Sequence, residues 1–311
     1  MLTFDRLKLV TSLQYATNLS QSYFLKIPRK QGGFYYKYQQ EKPFLLNMVA
    51  CPERQEMTIE FTGKILQDAY PDLINLNNIR DCLEKIVEMN LCDLNIEAVI
   101  QNSKVCICDV TKDINCKLPM KDIKTHIKAS ITNYDKWLVK KCQNGGIEIC
   151  NSVTDKKRYK RFVMYDKHAE LQRAENREFL NSISDPERLL QYYDGKVRFE
   201  LNLRSMLMVR QILNIPDNTL INVLTSTANP ILDVFDLAIK ENDMTTSTIY
   251  NKADKMAFLQ KCNYDLQAVE MRIRASKPKT SSISRKMEPY RKLLHDIREA
   301  NKPMSIRNLI A

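Results

Sequence analysis

Apolar and polar residues alternate along several segments of the chain, a spacing typical of β-strands with one face in the core. The clearest case is residues 196–204, KVRFELNLR, where Val197, Phe199, Leu201 and Leu203 alternate with charged or amide side chains. This pattern predicts a half-buried strand with a charged face. Alternating, apolar or aromatic-rich patterns predict further strands over residues 1–15, 33–44, 56–61, 98–110, 147–153 and 161–165.

Helical spacing prevails in the other segments and beyond residue 205. Helices are predicted over residues 79–89, 166–182, 220–241, 252–274 and 287–300, with a polar linker at 276–286. Strand patterns are confined to the first two thirds of the chain. We therefore predict an α+β domain over residues 1–205, followed by a basic, mostly helical region over residues 206–311.

The chain is strongly basic. Its 48 lysine and arginine residues stand against 37 aspartate and glutamate residues, which gives a net charge of +11. The last 61 residues hold fourteen of the basic residues and only six of the acidic ones. Such a surplus favours an anionic partner, nucleic acid before an acidic membrane surface; the alternative is a merely basic protein.

Membrane and export signals are lacking in the sequence. No run of about 18 uncharged apolar residues occurs, and the N-terminus has no basic segment followed by an apolar one. The nine cysteines include no C-x-x-C pair, and only three histidines are present. We therefore expect reduced thiols in a cytoplasm rather than disulfides or structural zinc.

Reactive side chains are concentrated where a predicted strand meets a predicted helix, in RFVMYDKHAEL. Tyr165, Lys167, His168 and Glu170 lie close together here. A tyrosine hydroxyl can attack a phosphodiester when a nearby lysine and a divalent metal stabilise the phenolate and the departing oxygen. The alternative is a packed tyrosine with a solvated hydroxyl.

Three acidic residues on separate predicted strands can meet on one face of a sheet: Glu60, Asp109 and Glu200. Carboxylate oxygens are hard ligands that suit Mg²⁺ or Mn²⁺. The alternatives are a cross-strand ion pair for Glu200, which stands between two arginines, and a turn or helix cap for Asp109 and Asp113.

A basic cluster directly precedes the reactive tyrosine. It consists of Lys156, Lys157, Arg158, Tyr159, Lys160 and Arg161. Basic side chains contact phosphates, and an interleaved aromatic ring can stack on an unpaired base. A solvated hairpin is the alternative. The position of the cluster before Tyr165 favours DNA binding.

Two linked motifs carry a resemblance to a known family. YDKHAELQ is followed about thirty residues later by LLQYYDGKVRFELNLRS and then by LNIP. These residues resemble the gene II/X replication initiators of filamentous phages, in which Tyr-x-Lys-His-x-Glu-Leu precedes Leu-Val-Arg-Phe-Glu at a similar distance. Upstream, TIEFTGKILQ and VCICDVT are similar to further family segments. The resemblance extends over about residues 50–215 and is strongest over 155–215.

The resemblance implies a rolling-circle replication initiator with a fold related to the HUH endonucleases, an antiparallel sheet with packed helices. Such an enzyme nicks one strand of a supercoiled origin, joins a tyrosine to the 5′-phosphate and later rejoins the displaced strand. The tyrosine motif corresponds to Tyr165, Lys167, His168 and Glu170. The second motif corresponds to Arg198, which we expect at the DNA, and Glu200.

No His-hydrophobe-His motif is present, so carboxylates must provide most of the metal ligands. Our candidates for binding Mg²⁺ or Mn²⁺ are Glu60, Asp109, Glu200, His168 and Glu170. The implied partners are double-stranded and single-stranded origin DNA, together with a host helicase and DNA polymerase, in a bacterial cytoplasm and away from membranes.

Other functions fit the same sequence. A relaxase for plasmid mobilisation would use the same chemistry on a transfer origin. A non-catalytic DNA-binding regulator would depend on the basic C-terminal region instead. An RNA-binding or structural protein is a further alternative.

Overall fold

Strands dominate the first two thirds of the protein in the computed structural model. The structure describes residues 1–30, 32–116, 119–130, 137–142, 145–151, 160–239, 250–275, 283–300, 307 and 310. Its strands are β1 (Phe4–Ser12), β2 (Ala16–Thr17), β3 (Leu25–Pro28), β4 (Phe34–Gln40), β5 (Leu46–Cys51), β6 (Glu56–Thr62), β7 (Asp93–Leu94), β8 (Lys104–Asn115), β9 (Trp137–Lys141), β10 (Ile147–Asn151), β11 (Arg161–Asp166) and β12 (Lys196–Leu203).

Ten of these strands form one sheet in the order β3-β4-β5-β6-β1-β8-β12-β11-β10-β9, and every neighbouring pair is antiparallel. The short strands β2 and β7 form a separate pair. The expected antiparallel sheet is therefore confirmed. Its centre is made by β1, β8 and β12, which are distant in sequence.

Helices fill the intervals between strands and the C-terminal third. Their bounds are α1 (Ile79–Glu88), α2 (Ile96–Asn102), α3 (Met120–Ser130), α4 (Lys167–Leu171), α5 (Arg177–Asn181), α6 (Pro186–Tyr193), α7 (Met206–Leu213), α8 (Leu220–Thr225), α9 (Pro230–Ala238), α10 (Tyr250–Lys261), α11 (Leu266–Ala275) and α12 (Ile283–Ala300). Four 3₁₀ segments add Leu13–Tyr15, Pro52–Arg54, Gly63–Asp72 and Ala174–Asn176. The predicted packed helices are present.

Local capping explains where two predicted elements are wrong. The strand expected over 98–110 begins as helix α2, because Asn95 accepts a hydrogen bond from the Ala98 amide at 3.0 Å. The helix expected over 220–241 is divided into α8 and α9. A second cap at Asn229 and a proline at the first helical position, Pro230, start the new helix.

The long helix expected over 166–182 is divided into α4, a 3₁₀ turn and α5. Asp166 caps α4 by accepting a hydrogen bond from the Ala169 amide at 2.9 Å. Asn176 ends the 3₁₀ turn and is buried, with its amide group bonded to Glu170. The helix is interrupted at Asn176, whose buried side chain belongs to the site described below.

The chain divides into two compact units. The first contains Met1–Ile239 and Leu309–Ala311, and the second contains Lys240–Asn308. The first unit extends beyond the predicted boundary at residue 205, because α7, α8 and α9 pack on β8 and β12. Their apolar residues, including Val209, Val223 and Phe235, are completely buried.

The second unit is helical, as expected. Helices α10, α11 and α12 share an apolar cluster of Leu259, Cys262, Val269, Ile283, Met287, Leu293 and Leu294. In the described parts of both units, no helix has the length and apolar composition needed to cross a membrane. All nine cysteines are free.

Candidate active site

The strand register brings the two sequence motifs together on one face of the sheet. Tyr165 on β11 pairs with Arg198 on β12, which pairs with Asp113 on β8. Glu200 is two residues further along β12 and therefore lies on the same face. Asp109, four residues from Asp113 on β8, shares this face, which we call the polar face.

The Tyr165 hydroxyl donates a hydrogen bond to Glu200 Oε1 at 2.5 Å. Only 6% of Tyr165 is exposed. Burial, followed by the negative charge of Glu200, raises the pKa of the Tyr165 hydroxyl well above its ordinary value. The tyrosine is consequently a neutral phenol at physiological pH, in contact with a carboxylate that can accept its proton.

The pKa of the Glu200 carboxyl is raised toward neutral pH. Burial and the neighbouring charge of Asp5 raise the pKa of Glu200 to about 7, although Arg198 acts in the opposite direction. A catalytic base works best when its pKa lies near the working pH, because it is then both ionised and basic enough. The Tyr165–Glu200 pair meets this condition.

Arg198 is the centre of a buried ion-pair network. It donates two hydrogen bonds to Asp113, both at 2.7 Å, and one to Asp5 at 2.9 Å. It also donates to the hydroxyls of Tyr70 at 2.6 Å and Tyr193 at 3.1 Å. Because Arg198 has no exposed surface, it cannot contact DNA directly, and the predicted DNA-binding role is corrected to an internal one.

The charged face expected for residues 196–204 is therefore buried at Arg198, whereas Lys196 and Glu200 are half-buried and Arg204 is exposed. The rings of Tyr70 and Tyr193 belong to an apolar cluster that covers this end of the polar face, with Leu73, Leu171, Phe179, Ile183 and Leu189. Two hydroxyls and two carboxylates satisfy the guanidinium that the cluster covers. A buried charge is tolerated only with such partners.

A second buried cation lies beside the tyrosine. Lys167 is 2% exposed, and its Nζ is 5.7 Å from the centroid of the Tyr165 ring. The same Nζ donates a hydrogen bond to Glu170 Oε2 at 2.6 Å. Burial would raise the pKa of Glu170, but the charges of Lys167 and Lys64 outweigh it and lower that pKa to about 2. Glu170 is therefore an ionised partner of Lys167 and a poor proton acceptor.

Asn176 completes this part of the site. Its side-chain amide donates to the Glu170 carbonyl at 2.7 Å and to Glu170 Oε1 at 3.1 Å. Its carbonyl accepts a hydrogen bond from Lys64 Nζ at 2.5 Å. Burial and the nearby charge of Lys167 lower the pKa of Lys64. Lys64, Lys167, Glu170 and Asn176 thus form one hydrogen-bonded cluster next to Tyr165, in which the cations are paired with Glu170.

The five residues predicted as metal ligands do not converge. Glu60 forms ion pairs with Arg6 and, at 3.2 Å, with Lys8. His168 is partly exposed and lies 4.0 Å from Asp194, while Glu170 is held by Lys167. Throughout the described ranges, no three His, Cys, Asp or Glu residues are grouped as a metal centre would require.

Asp109 and Glu200 are the two predicted ligands that remain together. Asp109 is 9% exposed, and its Oδ1 is buried without a hydrogen-bond partner. Burial raises the pKa of Asp109, and the charge of Asp109 contributes to the raised pKa of Glu200. An orphaned carboxylate oxygen beside a second carboxylate fits a divalent cation, since Mg²⁺ is often held by one or two carboxylates with water and substrate phosphate.

Of the basic cluster, the structure describes Lys160 and Arg161, and Arg161 contacts the polar face. Arg161 donates to Glu148 Oε2 at 2.9 Å and to Asn202 Oδ1 at 2.7 Å, and 30% of its side chain is exposed. The Lys160 amide donates to Asn151 Oδ1 at 2.8 Å. The remaining predicted DNA contacts, Lys156, Lys157, Arg158 and Tyr159, lie outside the described residues.

Sequence reasoning missed several members of the site. Asp5 is at the start of β1, and Tyr70 lies in a 3₁₀ segment; both contact Arg198 although they are far from it in sequence. Lys64 and Asn176 were also missed. Lys64 lies in the segment TIEFTGKILQ, whose resemblance is a signal that could have found it; no local pattern marks Asp5, Tyr70 or Asn176, which meet the site only in the folded chain.

No protein-family model matches the chain, and no curated protein matches it significantly.

Proposed function

We propose that this protein initiates rolling-circle DNA replication by nicking one origin strand through Tyr165 and later rejoining the displaced strand. The observation that carries the proposal is the hydrogen bond between Tyr165 and Glu200, whose pKa is about 7. The two residues come from the two motifs that resemble the phage initiators. An HUH-related fold is part of the proposal, supported by the antiparallel sheet and a reactive tyrosine on one of its faces.

The strand cleavage follows from this geometry. Glu200 accepts the proton of the Tyr165 hydroxyl as the phenolic oxygen attacks phosphorus in line with the departing 3′-oxygen. The new bond joins phosphorus to Tyr165, and the bond between phosphorus and the 3′-oxygen breaks. That oxygen takes up a proton from solvent and becomes the 3′-hydroxyl that primes synthesis by a host DNA polymerase.

Rejoining is the same step in reverse. A 3′-hydroxyl attacks the phosphotyrosine and gives its proton to solvent, while the Tyr165 oxygen leaves with the proton carried by Glu200. Lys167 is the proposed source of positive charge for the phenolate in both directions, and its Nζ is 5.7 Å from the centroid of the Tyr165 ring. Arg198 positions the site by holding Asp5 and Asp113, without touching the DNA.

Asp109 is the residue that would hold Mg²⁺ or Mn²⁺, because its Oδ1 has no hydrogen-bond partner whereas Glu200 is engaged by Tyr165. A divalent cation bound there supplies charge stabilisation to the oxygens of the scissile phosphate. Glu60, His168 and Glu170 are not assigned as ligands, because each already contacts another charged side chain.

A supercoiled plasmid carrying the genomic neighbourhood of the gene tests the proposal. We expect open circles in the presence of Mn²⁺ or Mg²⁺, with a 5′ end attached to the peptide that contains Tyr165. Specific binding of the plasmid without any nick, under several metals, would contradict it.

A non-catalytic DNA-binding regulator is the second candidate, favoured by the low exposure of Tyr165. In that case the Tyr165–Glu200 pair is a buried structural contact. The plasmid experiment separates the two functions, because only the initiator forms a covalent link.

A further inference from the structure

The β3–β4 hairpin presents aromatic rings at one end of the sheet. Strand β3 is the terminal strand of the sheet order and pairs with β4. Phe34, Tyr36 and Tyr38 alternate along β4 and therefore share one face. None of these three residues is buried, and Tyr23, which precedes β3, is 51% exposed.

These rings form two contacting groups along the hairpin. The ring centroids of Phe34 and Tyr36 are 5.3 Å apart, with the rings at 79°. The Tyr23 and Tyr38 rings are 6.3 Å apart at 89°, and buried Phe24 supports Tyr38 from 6.1 Å. The strip of Tyr23, Tyr38, Tyr36 and Phe34 lies at the margin of the core, since Tyr36 and Tyr38 pair with the buried Ala50 and Met48 on β5, and its rings are partly exposed.

Positive charge accompanies the strip. Lys26 is exposed, and its Nζ lies 4.0 Å from the centroid of the Phe34 ring. The sequence from residue 23 to residue 40 contains four basic residues and no acidic one. Aromatic faces with adjacent lysines are complementary to unpaired bases and their phosphates.

The turn that connects β3 to β4 is fixed from outside the hairpin. Glu53 accepts hydrogen bonds from the Phe34 amide at 3.2 Å and from Arg29 Nη1 at 3.0 Å. Gly33 has a φ of +75°, and a Cβ there would collide with the Glu53 carboxylate. A ligand binding to the hairpin therefore has less ordering cost to overcome, because the turn is already held.

We propose that the aromatic strip of the β3–β4 hairpin binds single-stranded DNA by base stacking, at a place separate from the Tyr165 site. The identification of the strand as DNA rests on the proposed function. Bases of a duplex are already stacked on each other, so the rings require an unpaired strand. A second copy of this chain adding to β3 is disfavoured, because Pro28 has no amide to donate and Lys26 adds charge to the edge.

The test uses the full chain and a fluorescein-labelled 20-nucleotide oligothymidylate, with binding followed by fluorescence anisotropy. The variants Phe34→Leu and Tyr36→Leu keep apolar bulk but lose the aromatic face. We expect each to raise Kd about fivefold or more, since stacking contributes about 1–3 kcal/mol per base. Lys26→Gln should lower the slope of log affinity against log salt by about 0.7.

Tyr192→Leu is the matched control. Tyr192 is also exposed, it contacts Tyr193 edge-on at 5.0 Å, and Lys196 Nζ lies 3.0 Å from its ring centroid. Tyr192 is likewise an exposed aromatic ring beside a lysine but lies outside the strip. The Tyr192→Leu variant should therefore bind the oligonucleotide with wild-type affinity. Equal losses in the control and the strip variants would overturn the proposal.

Cross-linking of wild-type protein to an oligonucleotide containing 5-iodouracil tests the proposal without any variant, so misfolding of a variant cannot affect the result. A cross-linked peptide from residues 23–40 supports the proposal, and cross-links confined to other peptides overturn it. So does a wild-type dimer that becomes monomeric in Tyr36→Leu without a change in DNA affinity. Tyr165→Phe should bind the oligonucleotide with wild-type affinity. Failure of the nicking proposal can therefore be told apart from failure of the binding proposal.

Discussion

The Tyr165 hydroxyl and the Glu200 carboxylate are joined by a hydrogen bond of 2.5 Å, although they are 35 residues apart in the sequence. They occupy neighbouring antiparallel strands at positions that are diagonal on one face. Such diagonal pairs are within reach of long side chains. The spacing between the two motifs thus has a physical basis: it places an acceptor beside the phenol.

Replacing Tyr165 by phenylalanine should abolish nicking while leaving DNA binding and folding nearly unchanged. The variant loses the attacking oxygen and one hydrogen bond, whose contribution to stability is about 1 kcal/mol. Denaturing gels of plasmid treated with the variant measure nicking, and filter binding measures affinity. Retained nicking would reject the assignment and direct attention to Tyr159, Tyr192 or Tyr193.

The nicking rate should rise with pH through about 7 and level off above it. Glu200 accepts the phenolic proton only when ionised, and its pKa is raised to about 7 by burial and Asp5. Glu200→Gln should lower the rate by about 10²–10⁴-fold and remove this pH dependence. Single-turnover rates between pH 5.5 and 8.5 measure both. An unchanged pH profile in Glu200→Gln would show that another group is the base.

Arg198→Met should destabilise the first unit by about 3–5 kcal/mol, because it leaves the largely buried Asp113 carboxylate and the partly exposed Asp5 without their cation. Urea unfolding monitored by circular dichroism gives the free energy of unfolding. The control is Arg29→Met, which removes a more exposed ion pair with Glu53 and should change that energy by less than about 1 kcal/mol. Similar losses for both variants would contradict the network described for Arg198.

Mn²⁺ should bind the protein through Asp109, whose Oδ1 is buried without a hydrogen-bond partner. Asp109→Asn removes the charge next to the orphaned oxygen and should weaken Mn²⁺ affinity at least about tenfold, as measured by electron paramagnetic resonance of the free ion. Glu60→Gln is the control, because Glu60 is engaged by Arg6 and Lys8. A loss in the Glu60 variant with none in Asp109→Asn would place the metal elsewhere.

The sequence predicts those features that depend on local patterns. Strands such as β1, β6 and β12 were found because alternation is visible within a few residues, and the tyrosine motif was found by resemblance. The internal role of Arg198 was not predicted, because a polar residue on an alternating strand is expected to be exposed to solvent. Its burial becomes visible only when Tyr70 and Tyr193, which accept its hydrogen bonds, are placed over it.

Long-range pairing explains the other errors. Glu60 and Asp109 share the polar face as expected, but β1 lies between their strands and places Arg6 and Lys8 beside Glu60. A carboxylate next to two cations is already neutralised. The order of strands across a sheet cannot be obtained from periodicity, so the ligand set could not be narrowed from sequence.

The end of the first unit can be tested by truncation. A chain ending at Ile239 retains α7, α8 and α9 and should fold, with modest destabilisation from loss of the hydrogen bond between Lys112 and the buried Ile310 carbonyl. A chain ending at residue 205 should not fold, because it uncovers the apolar surface of β8 and β12 that these helices bury. Circular dichroism and thermal unfolding distinguish the outcomes. A cooperative transition for the shorter chain would show that the boundary predicted from sequence, rather than Ile239, is the end of the folding unit.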